Sequence, residues 1–456
     1  MRGGTWSAQY VTGGQSPGYI KLNPGTQQQA HLQFKNIGTC TWTSAYAFLG
    51  TWNPEPGQDQ ASLVGGNGTN GGPNTGWSNY NRIGMTQSTV ATNGIADFYF
   101  NVQGPTTPGR YQLHVRPLIE GHTWMEDYGV WFEVQDQMTN SRYMNQIDPT
   151  KSYDLGCKLG KMNAYAPGTQ DDLVVLDYGA PSYGWNGTAY EYGALYPGNA
   201  TFVGISKITI AVEEFGHGFY VCARTTGGGD TTSSVRVAVG TNNGSASYTN
   251  FAHGQAWATM VNNIGTYWAN QGFSGQVSAA GASDIELDWG TNTTARDWVT
   301  GYASVNGYFL YNFGDSAGCP ELGSTSTPAP CDNQWTQEDV YWVSYAAAPS
   351  YPFPEFYNRA SAQARQWQQL KLYAVLRYGL NFPIKGVMTQ YEACQTNGPC
   401  WYGAACGSGL GCYTDNKPQD GLSQLLSAMN ADARTAQATV QWLTDVTWNN
   451  DPTMNP

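Results

Sequence analysis

From residue 152 onward, short apolar stretches alternate with longer stretches of helical spacing, and this alternation constrains the fold more than any other feature of the sequence. Strand–helix units joined by right-handed crossovers form a parallel sheet. About six such units, with no Gly-x-Gly-x-x-Gly turn after any strand, predict a TIM-like (β/α) barrel over residues 152–456. The predicted strands are 172–179, 234–241, 277–290, 307–315, 339–345 and 384–390, and the predicted helices are 205–224, 252–272, 295–304, 360–378 and 418–444.

The first part of the chain, residues 1–136, follows a different pattern. Short alternating stretches such as 31–36, 96–102 and 110–116 are separated by Gly, Pro and Asn turns. This spacing predicts an all-β Ig-like sandwich. Residues 137–151 are polar and are predicted to be a linker, so the chain is expected to be multidomain.

Composition restricts the class of partner. The formal net charge of -12 and the sequence pI near 4.8 argue against nucleic acid or an anionic membrane surface. Aromatic residues make up 14% of the chain and charged residues only 12%, which favours a neutral partner that stacks on rings, such as a polysaccharide or oligosaccharide. No run approaches the roughly 20 apolar residues of a membrane span.

The nine cysteines predict an oxidising compartment and therefore a secreted protein. Cys157 and Cys222 could pair across the start of the second domain, and Cys319 and Cys331 bracket a loop. Cys40 is left over and is expected to be buried. A further group crowds a Gly-rich loop and is predicted to form disulfides, since its even spacing lacks the Cys-x-x-Cys pair of most zinc sites: Cys394, Cys400, Cys406 and Cys412.

The segment 277–290 is predicted to hold the functional centre. It begins as a buried strand and then alternates acid with apolar residue, so that Asp284, Glu286 and Asp288 would share one side of an extended chain. The intervening residues are large and apolar, which directs the acids toward a polar cavity or a metal. Further acids, including Asp177 and Asp315, fall at or just past the ends of predicted strands, which is the catalytic face of such barrels.

Two carboxyl groups across a cleft can hydrolyse a glycosidic bond. We expect Glu286 to be the proton donor, because neighbouring negative charge raises the pKa of a carboxyl group, with Asp284 orienting it. Glu355, which follows two prolines, is the predicted opposing carboxylate, and Asp177 is a further catalytic candidate. The residues predicted to bind substrate are Asp288, Trp289, Asp315, Tyr345, Gln390 and Glu392.

Two resemblances accompany these patterns. The stretches 34–42, 108–111 and 129–132 resemble the Trp-containing Ig-like domain of autophagy cargo receptors and secreted bacterial proteins, which implies attachment or spacing. Asp177, the Asp284/Glu286 pair and the stretches 341–345 and 366–368 resemble barrel-fold muramidases and their glycoside-hydrolase-like relatives. That second resemblance implies carboxylate catalysis on a cell-wall glycan, whereas Asp288 and the Cys-rich loop depart from its pattern.

Other interpretations stay open at this stage. Asp284, Glu286 and Asp288 could hold a structural calcium ion, since such ions prefer oxygen ligands, although no cofactor is required. The protein could also be a non-catalytic surface protein that binds glycans or assembles with its own copies. A calcium-dependent esterase or phosphodiesterase is a third hypothesis. Only His217 and His253 fall in the predicted barrel, which disfavours a Ser-His-Asp relay.

Overall fold

A computed structural model describes residues 4–65, 75–305, 307–358, 360–397, 414 and 416–449. The chain divides into two compact units. The first comprises Met1–Gln137 with Tyr165–Gly168, and the second comprises Met138–Ala164 with Thr169–Pro456.

The first unit is built from β-strands in its described part, which confirms the all-β prediction. The strands are β1 (Ala8–Tyr10), β2 (Tyr19–Leu22), β3 (Gln27–Asn36), β4 (Trp42–Thr43), β5 (Ala47–Thr51), β6 (Arg82–Gly84), β7 (Thr89–Val90), β8 (Ile95–Gln103), β9 (Gly109–Ile119), β10 (Thr123–Trp124) and β11 (Trp131–Asp136). Two main sheets have the strand orders β1-β3-β8 and β2-β11-β9-β5-β6, with β10 paired to β9. Inward residues from both sheets form one core, in which the rings of Phe100 and Phe132 lie 5.5 Å apart. Trp42 is fully buried in that core, and the Ig-like assignment stays a prediction.

The second unit alternates strands with helices. Its strands are β12 (Thr139–Tyr143), β13 (Asp171–Asp177), β14 (Ala180–Trp185), β15 (Tyr190–Leu195), β16 (Phe202–Gly204), β17 (Ser234–Asn242), β18 (Val277–Asp284), β19 (Leu310–Asn312), β20 (Ser350–Pro352), β21 (Gly386–Thr389) and β22 (Trp442–Trp448). Its helices are α1 (Pro149–Tyr165), α2 (Ile205–Thr225), α3 (Phe251–Asn270), α4 (Asn292–Val305), α5 (Gln337–Tyr341), α6 (Ala362–Tyr378), α7 (Tyr391–Asn397) and α8 (Pro418–Asn430), with a 3-10 turn at Asp332–Gln334 and a π turn at Trp342–Ala346.

Eight of these strands form a parallel barrel. Their order is β20-β19-β18-β17-β13-β12-β22-β21, and every neighbouring pair is parallel. Backbone hydrogen bonds then join β21 to the segment 352–356, because Lys385 N–H donates to the Pro352 carbonyl at 2.9 Å and Phe356 N–H donates to the Met388 carbonyl at 2.8 Å. These bonds close the ring, and the TIM-like prediction is confirmed at this level.

Apolar residues cover both faces of the barrel strands, which explains why the strand sequences are continuous apolar runs. Residues inside the barrel form one cluster, which includes Leu173, Ala280, Tyr311 and Trp442. Alternate residues such as Val237 face the helices and belong to a second, larger cluster. Strands buried on both faces lack the polar alternation of a half-exposed strand.

Three predicted segments need correction. The predicted linker 137–151 contains β12 and the start of α1; β12 is polar, and Ser141 bonds Thr444 inside the wall with their hydroxyl oxygens 2.8 Å apart. The predicted helix 418–444 ends at Asn430 and gives way to β22. The predicted strand 339–345 is α5 and the π turn, because Thr336 and Asp339 form a capping box that starts a helix there.

The two predicted cysteine pairings that the structure describes are confirmed. Disulfides join Cys157 to Cys222, between α1 and α2, and Cys319 to Cys331. Cys40 is free and only partly buried, so its predicted burial is wrong. Cys394 is disulfide-bonded, whereas Cys400, Cys406 and Cys412 lie outside the described residues.

Candidate active site

Three carboxyl groups meet at the carboxyl end of the barrel strands. Asp284 is the last residue of β18, Glu286 follows in the next turn, and Glu355 follows β20 across the barrel mouth. One oxygen from each lies within 4.8 Å of the others, and their side chains are only 2–5% exposed. We call Asp284, Glu286 and Glu355 the carboxyl cluster.

Glu286 is held in place by its main chain. The strand ends at Asp284, so the predicted extended alternation through Asp288 is wrong. Instead, the side-chain amide of Asn243 donates to the Glu286 carbonyl at 2.8 Å and accepts from the Glu286 N–H at 3.1 Å. A Cβ at position 314 would lie 2.2 Å from the Ile285 carbonyl oxygen, so the close approach of that loop requires Gly314.

Glu355 is fixed by its side chain and by its backbone. Its Oε1 accepts a hydrogen bond from the Gln363 amide at 3.1 Å. A parallel bridge pairs Glu355 with Met388 of β21. The side-chain oxygen of Gln363 also accepts a hydrogen bond from the Tyr357 N–H at 2.8 Å. Gln363 therefore bonds both Glu355 and Tyr357 and fixes the segment 355–357.

The surroundings favour the protonated forms of these acids. Burial raises the pKa of Glu286 to about 8, helped by the charges of Asp315 and Asp288. Burial also raises the pKa values of Asp284 and Glu355, and the charge of Glu286 raises both further. Because each ionised carboxylate opposes ionisation of the next, the carboxyl cluster loses its protons in separate steps. It therefore contains a carboxylic acid and a carboxylate together over a range of pH.

Two further acids border the carboxyl cluster. Asp177, the last residue of β13, is buried, which raises its pKa to about 7, while its Oδ1 accepts from the Gly179 N–H at 3.1 Å. Asp315 follows β19, and burial raises its pKa to about 6. Its Oδ1 accepts from the Leu287 N–H at 3.3 Å, so Asp315 also supports the turn that carries Glu286.

A first hollow of about 240 Å³ opens onto the carboxyl cluster. Tyr143 links its walls, since its hydroxyl donates to Gln390 Oε1 at 3.2 Å and lies 3.3 Å from the Tyr357 hydroxyl. Trp289 is 44% exposed, and the ring of Trp448 lies 5.3 Å from that of Tyr143. The lining residues are Tyr143, Asp177, Pro197, Asn242, Asp284, Glu286, Trp289, Tyr357, Gln390 and Trp448.

A second hollow of about 230 Å³ is also lined by Tyr357. Glu355, Asp315 and the exposed Asp288 supply its acids, and Gln363 with Gln366 supply amides. Members of the carboxyl cluster thus line both hollows, so a ligand long enough to enter both would pass the cluster.

The structure brings together most of the predicted site. The four predicted catalytic residues lie around the barrel mouth, and the hollows also include predicted binding residues Asp288, Trp289, Asp315 and Gln390. Tyr345, a predicted binding residue, lines neither hollow. It lies in the π turn, and its ring stacks at 5.2 Å on that of Phe382, which lies just before β21. Glu392 lies in the first turn of α7 and lines neither hollow.

Several site residues were missed by the sequence interpretation. Tyr143 lay in the predicted linker and Trp448 lay beyond the predicted last helix, so the missed strands β12 and β22 each carried a site residue. Tyr357 stands two positions after Glu355, a spacing that could have revealed it. Nothing in the local sequence marks Asn243 as a site residue, because its role depends on contact with the main chain just past the end of β18.

The carboxyl cluster is also the group of described acids that could hold a metal ion. Asp284 Oδ1 and Glu355 Oε2 are buried and have no hydrogen-bond partner among the described residues. Oxygen ligands of this kind suit calcium, but Asp288, which the calcium hypothesis included, is exposed and outside the cluster.

Comparison with known proteins gave matches only among solved structures. No family model matches the chain, and no curated protein matches it. A family 123 glycoside hydrolase from Clostridium perfringens has 10% identity and a TM-score of 0.31, over 97% of this chain and 78% of that chain. A Bacteroides ovatus GH5 xyloglucanase has 12% identity and a TM-score of 0.21, over 93% of this chain and 82% of that chain.

Both of these solved structures are glycoside hydrolases. With TM-scores at this level, the barrel assignment rests on the strand pairing given above. Among the helices of the described residues, none combines the length and apolar character needed to cross a membrane.

Proposed function

We propose that this protein is a secreted glycoside hydrolase that cleaves a polysaccharide, such as a plant or microbial cell-wall glycan, by carboxylate acid/base catalysis. The observation that carries the proposal is the carboxyl cluster, whose oxygens lie within 4.8 Å at the open end of a barrel. Burying acids beside one another is costly, and enzymes use such sites to keep one acid protonated beside an ionised one.

Glu286 suits the role of proton donor. Burial and the acids around it raise its pKa to about 8, so it carries a proton at neutral pH, and it lines the first hollow, where a leaving oxygen could receive that proton. Asp284 lies beneath it at the strand end and would orient it. Asp177, which lines the same hollow, could contribute to binding or proton exchange.

Glu355 is our candidate for the ionised partner, because the Gln363 amide donates a hydrogen bond to its Oε1 and so opposes the rise in pKa that burial and the neighbouring acids cause. Retaining enzymes hold their two carboxyl groups about 5 to 5.5 Å apart and inverting enzymes about 6.5 to 9.5 Å apart. One oxygen of Glu286 and one of Glu355 lie within 4.8 Å of each other, which is nearer to the retaining spacing and favours retention. Glu355 would attack the anomeric carbon to form a glycosyl ester while Glu286 protonates the leaving oxygen, and water activated by Glu286 would then hydrolyse the ester.

The surroundings of the carboxyl cluster favour a neutral sugar. Trp289 and Trp448 offer aromatic surface in the first hollow. An anionic sugar would meet the repulsion of several acids. Two disulfides among the described residues support an extracellular location.

The proposal is tested by the release of reducing ends from a panel of polysaccharides and peptidoglycan. Glu286→Gln and Glu355→Gln should each lose at least about a hundredfold in kcat, as expected for groups in general acid–base catalysis. Glu214→Gln, a partly exposed position in α2, is the matched control and should retain full activity. Equal activity of Glu286→Gln and wild type would remove Glu286 from the mechanism.

The alternative is a non-catalytic glycan-binding or self-assembling surface protein. The aromatic residues of the first hollow would support glycan binding without turnover. Glycan-array binding by a wild-type protein that hydrolyses none of those glycans would favour this alternative.

A further inference from the structure

A three-stranded antiparallel sheet, β14-β15-β16, is inserted between β13 and α2. Register places Trp185 opposite Tyr190 and Tyr183 opposite Tyr192. Residues directly opposite each other project to the same side of a sheet, as do residues two apart on one strand. These four side chains therefore share one side of the hairpin, which we call the aromatic face.

The aromatic face is exposed. The exposed fractions are 44% for Tyr183, 55% for Trp185 and 66% for Tyr190. Large aromatic side chains grouped on a surface expose apolar area that a protein normally buries, and such groups usually mark an interaction site. A structural role alone would not require three adjacent rings to face solvent.

The rings nevertheless have a defined arrangement. Tyr183 and Tyr190 are stacked, with centroids 6.0 Å apart and planes inclined by 18°, and Trp185 meets Tyr190 edge-on at 5.4 Å. Tyr192 anchors the array, since its ring lies 5.0 Å from Tyr183 and 5.6 Å from His253 at the start of α3. The rings are thus ordered before any ligand binds, which lowers the entropic cost of binding.

The other side of the hairpin holds it to the barrel. Gly184 faces Phe202, because a Cβ added there would lie 3.0 Å from that ring. Glu191, opposite Gly184, accepts from the Asn186 amide and the Ser206 hydroxyl, both at 2.6 Å. The one charged residue of β14 and β15 therefore lies on the held side, and the aromatic face carries no formal charge.

The aromatic face lies at the same end of the barrel as the carboxyl cluster. The hairpin begins three residues after Asp177, and Pro197, two residues beyond β15, lines the first hollow. Trp185 is eight residues from Asp177, which at about 3.4 Å per residue limits their separation to about 27 Å. A polysaccharide chain of several sugar units is long enough to contact both places even at this upper limit.

We propose that the aromatic face is a distal binding surface for a neutral polysaccharide chain whose cleaved bond lies at the carboxyl cluster. Ordered aromatic rings without charge offer apolar area and hydroxyl groups together, the combination that stacks on sugar rings and bonds their hydroxyls. This inference rests on the proposed function for the choice of ligand and adds that long substrates bind beyond the cleft.

The test separates binding from turnover. In a Glu286→Gln background, sedimentation with insoluble polysaccharides of the panel measures binding, and the double variant Trp185→Ala with Tyr190→Ala should bind about tenfold more weakly. Tyr46→Ala, which removes a 57% exposed tyrosine of the first unit, is the control and should bind normally. Circular dichroism checks that each variant folds.

In the active protein, the same double variant should raise KM about tenfold on the polymer while leaving kcat and cleavage of short oligosaccharides unchanged. Equal polymer binding by double variant and parent would overturn the inference. It would also be overturned if light scattering showed that the double variant converts a dimer to a monomer, since the aromatic face would then join copies of the chain. If the wild-type protein binds polymer through the aromatic face but hydrolyses no polysaccharide, the proposed function is refuted, whereas the assignment of the aromatic face as a binding surface is kept.

Discussion

Replacing Glu286 by Gln should stabilise the protein in a pH-dependent way. The pKa of Glu286 rises from 4.5 to about 8 on folding, mainly through burial. Below pH 4.5 both the folded and unfolded states hold the proton, and the glutamate costs nothing. Between pH 4.5 and 8 the folded state binds the proton and the unfolded state releases it, so the free energy of unfolding falls as pH rises.

The size of the effect follows from that shift. Each pKa unit corresponds to about 1.4 kcal/mol. The rise from 4.5 to about 8 therefore limits the gain in free energy of unfolding from Glu286→Gln to about 5 kcal/mol at pH 8 and above. A gain of about 1.5 kcal/mol in the free energy of unfolding, which is a third of that upper limit, would raise the Tm of a domain this large by roughly 3 °C. Gln is nearly isosteric and cannot ionise, so it removes the penalty without opening a cavity.

Thermal unfolding followed by circular dichroism from pH 4 to 9 provides the assay. We expect the Tm of Glu286→Gln to match wild type near pH 4 and to exceed it increasingly toward pH 8. Glu214→Gln, on a partly exposed face of α2, should follow wild type throughout. A Tm difference that is the same at both ends of the pH range, or a variant less stable than wild type at pH 8, would refute the assignment of Glu286 as a buried, protonated acid.

Four further outcomes are expected. Activity should fall as pH rises through about 8, because Glu286 then loses the proton it must donate, and a pH–rate profile checks this. Trp289→Ala should raise KM about tenfold with little change in kcat, as steady-state kinetics would show. Replacing Cys157 and Cys222 by Ser should cost about 4 kcal/mol in denaturant unfolding, since the bond closes a loop with a sequence separation of 65; no loss would mean that the bond constrains little. A chelator should leave Tm and activity unchanged, and a Tm lowered by several degrees would instead assign a cation to the carboxyl cluster.

The central site was predictable because local sequence placed it. Asp177 lies at the end of one predicted strand and Glu286 lies just past the apolar part of another, and parallel strands bring their carboxyl ends to one edge. Glu355 was predicted from the prolines before it, because β20 has no apolar run and was not predicted. Their raised pKa values follow from the same proximity and burial. The alternation through Asp288 was misleading, because the strand stops at Asp284 and the turn that follows exposes Asp288.

The misassigned segments share a physical cause. The polar strand β12 contains Thr139, Asn140 and Ser141, whose side chains are buried within the barrel wall. A polar strand has no apolar run, so only its pairing with β13 and β22 reveals it. The stretch 339–345 has the composition of a strand, but the capping box at Thr336 and the packing of Tyr345 on Phe382 make it helical.

The sequence by itself determined the two-part organisation, the identity of the principal acids and the two described disulfides, because periodicity, strand ends and cysteine spacing are local properties. Only the tertiary structure decided that the ring closes through the segment 352–356 and that the hairpin rings face solvent. These outcomes depend on which strands become neighbours, and long-range pairing is set by the packing of the whole barrel rather than by any one stretch of chain.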